Sequence, residues 1–328
     1  MMKLEILFVG LQEQGASIAL ALAEANVDAA RLGFDPDKEA ARAAVDSGAI
    51  AERVSNPYKA ARSADVILVT LPAAEADEFR EDVADNLKEG ALLIDCSPLK
   101  ASSLRWASEH MERSHYIGAV PVVQHSAMFD LDTSYRQARP DLYQNSLMGL
   151  VVPAETPERA INIAVNIAEA VGGKPFFIDA SEMEAVTSLI DTLPAALSLA
   201  LLQTAADSRG WPDIQRIAGR EFMAGTYSLA GVEGETLAKK LIENRQSLAV
   251  HLDQIIDRLT QLRQTIEESE QENLTDWIRR AVKERESWLA KREQADWEAV
   301  ERGRSHVSST GMLGNLFGFD PNRRGKRE

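Results

Sequence analysis

The stretch FVGLQEQGASIALAL, Phe8 to Leu22, sets Gly10 and Gly15 five positions apart, where an apolar run meets an alanine-rich segment. A dinucleotide-binding turn uses this spacing. In G-x-G-x-x-G the first glycine makes the tight turn and the second lets the backbone approach the pyrophosphate. The third lets helix and strand pack closely. Gly10 and Gly15 hold the first and third positions, and Gln12 stands in the second. Glu13 adds negative charge beside a helix N-terminus that attracts anions. Asp35, twenty positions after Gly15, closes the next apolar run. An acid there can bond the ribose hydroxyls of NAD and disfavours the 2′-phosphate of NADP. Gly10, Leu11, Gln12, Gly15 and Asp35 are therefore the cofactor candidates. The structural alternative is a doubly wound domain that keeps the fold without the nucleotide.

Beyond the glycine turn, the histidines are the groups suited to proton transfer. His125, on a loop after a strand, is the best candidate for a general base; its alternative is an exposed loop histidine with no role. His110 and His115 flank a helix–strand junction, His251 lies beside an apolar helical stripe, and His306 is in the tail. Cys96 is the single cysteine, which excludes an intramolecular disulfide and fits a reducing cytoplasm. It reads as a small buried hydrophobe. No His/Cys/Asp/Glu cluster has metal-ligand spacing, and no nucleophile triad is evident, so no metal is expected. The net charge of −15 repels nucleic-acid phosphates and anionic membranes, so neither is expected as a general partner. The N-terminus has no signal-peptide pattern. Leu189 to Ala206 is the most apolar stretch, but it contains Asp191, Thr192, Pro194 and Gln203; a buried helix explains it better than a membrane span.

These groups need elements to hold them. Short apolar strands at 4–10, 29–35, 64–72, 90–98, 115–123, 147–156 and 175–179 alternate with helices at 16–26, 36–48, 74–87, 102–111 and 157–173. Continuous apolar strands between helices imply a mainly parallel sheet covered on both faces. Residues 1–180 thus read as a Rossmann-like, doubly wound α/β dinucleotide-binding domain. Residues 181–302 read as all-helical. Residues 182–208 form one long apolar helix kinked at Pro194. Residues 236–268 carry Leu241, Leu248, Leu252, Ile255, Leu259, Leu262 and Ile266 on one face, and 273–292 form a last helix. A face that long suggests a homodimer through the C-terminal helices. Residues 303–328, rich in glycine and charge, read as a disordered tail, whose MLGNLFGF stretch could dock a partner.

From Leu4 to about Arg292 the chain resembles the prephenate/arogenate dehydrogenase family of tyrosine biosynthesis. The resemblance is carried by the glycine turn, by ADVILVTLP, by LKEGALLIDCSPLK ending at Lys100, by YIGAVPVV, by the long stretch from Gly149 to Ala205, and by the Asn244–Arg245 pair. It implies an NAD(P)-dependent oxidative decarboxylation of prephenate, arogenate or a related acid. The ring hydroxyl loses a proton to a base, the C–H hydride passes to the nicotinamide, and CO₂ leaves as the ring becomes aromatic. It also implies Leu71, Pro72 and Ser97 as further cofactor contacts, Ser97 with a catalytic role, and Lys100, Arg220 and Arg245 as cations near the substrate carboxylates. Lys100 reads equally well as structural. The sequence departs from the family at chemical positions: Val120 replaces the histidine of His-Pro, Pro98 a serine, and Thr192 and Ala195 two histidines. The alternative to a divergent enzyme is a catalytically lapsed member acting as a dimeric small-molecule-binding or scaffold protein.

Overall fold

The computed structural model describes residues 4–297 apart from 98, 99 and 131. The tail at 303–328 lies outside the described residues. The chain divides between Met183 and Glu184 into two compact units.

The first unit winds through β1 (Leu4–Val9), α1 (Glu13–Glu24), β2 (Ala29–Phe34), α2 (Lys38–Asp46), β3 (Glu52–Arg53), α3 (Pro57–Ala61) and β4 (Val66–Val69). It continues through α4 (Ala73–Val83), β5 (Leu92–Asp95), α5 (Lys100–His110), β6 (His115–Pro121), β7 (Ser146–Val151), α6 (Glu158–Ala170) and β8 (Gly173–Phe177). One eight-stranded sheet runs in the order β3-β2-β1-β4-β5-β6-β7-β8. Every pairing is parallel except β6 with β7. The expected Rossmann-like α/β architecture is therefore what the chain adopts. Its central strands read as unbroken apolar runs because both faces are covered. Ile6 and Phe8 point into one core with Ile18, Leu22 and Ile94, while Leu7 and Val9 point into the other with Ile67, Phe79 and Leu93. The strand order reverses between β1 and β4, which opens a crevice at their carboxyl ends. The two-residue β3 and short α3 carry too little apolar pattern to be read from sequence.

The second unit is helical: α7 (Ala180–Thr187) leads across the boundary into α8 (Leu193–Ala206), followed by α9 (Trp211–Ile217), α10 (Arg220–Thr226), α11 (Gly234–Glu243), α12 (Arg245–Glu267) and α13 (Gln271–Gln294). Two expectations are corrected. The single long helix expected over 182–208 is interrupted by a π-helical turn, Ser188–Thr192, ending two positions before Pro194. The helix expected over 236–268 breaks at Asn244, whose backbone (φ −85°, ψ 9°) leaves the helical region. Its buried side chain donates to the Lys240 carbonyl at 2.9 Å. Residues 189–206 are also less buried than expected: Ile190 is 69% exposed and Leu201 43%. Helix 180–206 is long and apolar enough to cross a membrane by length and composition alone.

The turn before α8 carries a polar cluster. His251 of α12 is buried, with Nδ1 3.3 Å from Ser188 Oγ and Nε2 without a hydrogen-bond partner. Burial pushes its pKa below the usual imidazole value. A depressed folded-state pKa means the unfolded chain takes up the proton first as pH falls. The stability tied to neutral His251 is thus present above about pH 6.5 and is lost as pH drops through the folded value. Urea melts of the wild type are expected to weaken from pH 7 to pH 5 more steeply than melts of His251→Leu. Equal slopes would refute this role.

Candidate active site

The site is built at the carboxyl ends of β1, β2, β4 and β5. Gly10 sits in the left-handed region at φ +103°, with no room for a side chain: an added Cβ would lie 2.6 Å from Thr70 Oγ1. Thr70 closes the crevice by donating to the Gly10 carbonyl at 2.9 Å. Gly15 is packed harder still, because a Cβ there would run into the Gly10 carbonyl oxygen. Two of the three glycine functions are therefore intact, the tight turn and the close helix–strand packing. Gly15→Ala is expected to destabilise the protein by about 1–3 kcal/mol, since the obstacle is backbone that cannot rotate away; a urea midpoint equal to the wild type's would contradict this packing.

Gln12 is the N-terminal cap residue of α1, and its side chain does not bond the helix's own N–H groups. Its Oε1 instead accepts from the N–H of Tyr135 at 3.2 Å. Asp35 is buried, and its two oxygens accept from backbone: Oδ2 from the N–H of Leu11 at 2.5 Å and Oδ1 from the N–H of Asp37 at 2.8 Å. Burial pushes its carboxyl above the usual value, offset in part by those two N–H groups. In this conformation Asp35 pins the glycine turn to the end of β2. Beside it a cavity of about 700 Å³ is lined by Phe34, Asp35, Lys38, Arg53, Asn56 and Lys59.

A buried ionic cluster holds the end of β5. Asp95 is fully buried and accepts from Arg80 Nη1 at 2.8 Å, from the N–H of Ser97 at 2.7 Å and from the Tyr116 hydroxyl at 3.1 Å. Arg80 also pairs with Asp77 and lies 5.7 Å from the centre of the Trp106 ring. Burial opposes the charge on Asp95, but Lys100 and Arg80 outweigh it and hold the carboxyl below the usual range. Lys100 is itself 1% exposed. Its Nζ donates to the carbonyls of Asp95, at 2.7 Å, and of Ser97. The structure therefore gives Lys100 the work of a buried clamp, and its ammonium faces away from solvent. Ser97 is likewise turned inward, its Oγ 3.2 Å from Arg80. Cys96 packs against the core, and burial pushes its thiol up to about 12, so it stays protonated at neutral pH.

Leu71 and Pro72 form the turn from β4 into α4, on the same sheet edge as the glycine turn. Val120 lies near the end of β6, opposite Gly149 of β7, and cannot act as a base. His125 follows β6 on a 3₁₀ turn, half-buried, with its ring edge-to-face on Phe129 at 5.4 Å. In the second unit, Arg220 begins α10 and Arg245 begins α12, and both are exposed. The Arg80–Asp95–Lys100 cluster was not anticipated. Its signal was Arg80 itself, one position after Phe79 and three before Val83, on the edge of the apolar face of α4.

Two family models match. Residues 18–176 match the nucleotide-binding domain of prephenate dehydrogenase, and residues 179–280 match its dimerization domain; together they cover more than half of the chain. The chain belongs to the prephenate dehydrogenase family. The prephenate dehydrogenase of Bacillus subtilis is 24% identical over 85% of this chain and 75% of its own length. A cyclohexadienyl dehydrogenase of Zymomonas mobilis is 23% identical over 69% of the chain and 76% of its own length. Prephenate dehydrogenase from A. aeolicus, solved in complex with hydroxyphenyl propionate and NAD⁺, superposes with a TM-score of 0.75 at 20% identity. The match covers 88% of this chain and 99% of that one, and at such identity it shows the shared fold. The first unit is thus the nucleotide-binding domain of a prephenate dehydrogenase family member, and its glycine turn lies at the crevice where this fold class takes its ligand.

Proposed function

We propose that the chain is an NAD-dependent dehydrogenase that oxidatively decarboxylates prephenate, arogenate or a closely related cyclohexadienyl acid. The observation that carries this reading is a family match spanning both domains, joined to a glycine turn that keeps its backbone path at the β1–β4 crevice. Gly10, Leu11, Gln12 and Gly15 would bring the dinucleotide against α1. Asp35, Leu71 and Pro72 would flank it, and Ser97 would be held near the nicotinamide end by Asp95 and Arg80. A bound nicotinamide supplies the hydride acceptor.

The chain's own groups do the rest. His125 would take the ring-hydroxyl proton on Nδ1 or Nε2 as the hydride leaves the ring carbon and the bond to the departing carboxylate breaks to give CO₂. Arg220 and Arg245 would pair with the substrate carboxylates, and the exposed position of both leaves them accessible. The second unit would form a homodimer through the exposed apolar residues of its helices, among them Leu199, Leu201, Ile256 and Leu259, consistent with its match to the dimerization domain. The test is spectroscopic: prephenate or arogenate with NAD⁺ and purified protein should give rising NADH absorbance.

A further inference from the structure

A helix N-terminus leaves its first N–H groups without partners inside the helix, and in a dinucleotide turn the pyrophosphate takes them. In this chain the N–H of the first helical residue and that of Leu11 in the turn already have acceptors. The N–H of Glu13, the first residue of α1, donates to the Thr133 carbonyl at 3.3 Å. The N–H of Leu11 donates to Asp35. Gln12, in the position of the middle glycine, holds the N–H of Tyr135. One turn further along α1, the buried Ser17 accepts the N–H of Arg139 at 3.0 Å. A segment more than a hundred residues away in sequence is therefore laid over the glycine turn by three hydrogen bonds.

We propose that Asp132–Arg139 is a strap seated on the pyrophosphate position of the cofactor site, and that the dinucleotide binds only when the strap lifts. The inference rests on the nicotinamide-dinucleotide reading above. Glu13, Asp130 and Asp132 lie near the first turn of α1 and only Arg139 opposes them; Glu13 is driven above the usual carboxylate value by burial, with Arg139 acting against it and the two aspartates adding to it. A pyrophosphate placed there with the strap closed meets three carboxylates and one guanidinium. Lifting the strap carries Asp132 and Arg139 away together and frees the Glu13 N–H.

The strap is made to move as a unit. Asp132 caps it internally, accepting from the N–H of Ser134 at 2.9 Å and from Gln137 Nε2 at 3.3 Å. Its side chains are exposed or half-buried, so polar contacts and little apolar surface hold it down. The adjacent cavity at the end of β2, where the adenosine half of a dinucleotide sits in this fold class, is open. The site is thus open at one end and covered at its centre.

The test compares three full-length proteins by calorimetric titration with NADH. Ser17→Ala combined with Tyr135→Pro removes one acceptor and one donor from the strap's hold. Proline suits position 135, the first residue of a short 3₁₀ turn after an extended Ser134. Ser17→Cys with Arg139→Cys, oxidised, locks the strap down; the native Cys96 thiol is packed against the core and serves as the control in the wild type. Two hydrogen bonds of ordinary net strength are worth about thirtyfold, so the loosened protein should bind NADH roughly thirtyfold tighter than the wild type. The locked protein should not bind until reduced. Hydrogen exchange should show the Tyr135 and Arg139 amides losing protection when NADH is added. Equal affinity in all three proteins overturns the strap and leaves the cofactor reading standing. Absence of binding in all three, the loosened one included, overturns the cofactor reading and the strap with it. Binding by the loosened protein alone supports both.

Discussion

Asp95→Ala should cost the first unit about 3–5 kcal/mol, the range expected when one partner of a buried ion pair is removed. Asp95 is fully buried, Arg80 is 3% exposed and Lys100 1%. Deleting the carboxylate leaves two cations facing each other in the core, with only Asp77 still paired to Arg80. The Ser97 N–H and the Tyr116 hydroxyl lose their acceptor as well. Asp95→Asn keeps an acceptor and should cost less. Urea denaturation followed by far-ultraviolet circular dichroism reads both. If Asp95→Ala melts with the wild type, the cluster does not hold the β5 turn. The same pair sets an acid limit. The Asp95 carboxyl is held below its usual range in the folded state, so its contribution is full above about pH 4 and is lost as pH falls through the folded value.

His125→Ala should lower kcat by about 10² or more, the usual contribution of a positioned general base. Val120, near the end of β6, has no titratable group, and His125 is the histidine that follows on the connection out of that strand. Its ring lies edge-to-face on Phe129 on a short turn. KM should change little, because a base acts on the transition state more than on binding. An unchanged kcat would assign the proton to another group or to solvent.

How far the sequence carried the structure differs by element. The parallel sheet was legible because buried strands leave short, mostly apolar runs that soon meet glycine or proline, as β1, β4 and β5 do. The glycine turn was legible for the same local reason. The strand order and the crevice at β1–β4 come from pairing between distant segments and leave no local pattern. The break at Asn244 was hidden because apolar residues continue in helical register on both sides. The family resemblance points to Lys100 and Ser97 as site residues, but their inward orientation depends on Asp95 and on Arg80 of α4. The strap was invisible: no spacing rule ties Thr133 to Glu13. Gln12 read as a damaged glycine position, and in the fold it is the residue that grips Tyr135.

The exposed apolar residues of α8 and α12 follow from the same division of labour. A helix hydrophobic around most of its circumference needs cover. The second unit matches a dimerization domain, and its helices leave Leu201, Leu259 and Ile266 about half exposed.

The proposed oxidative decarboxylation rests on a family match that spans both domains. The most direct measurement is absorbance at the NADH band during incubation of purified protein with prephenate and NAD⁺, repeated with arogenate and with NADP⁺. The account predicts NADH formation, with CO₂ and the aromatic product in equal amounts, and a preference for NAD⁺ over NADP⁺. No reduced cofactor from either substrate, at millimolar concentrations and with a protein that calorimetry shows to bind NADH, would contradict it.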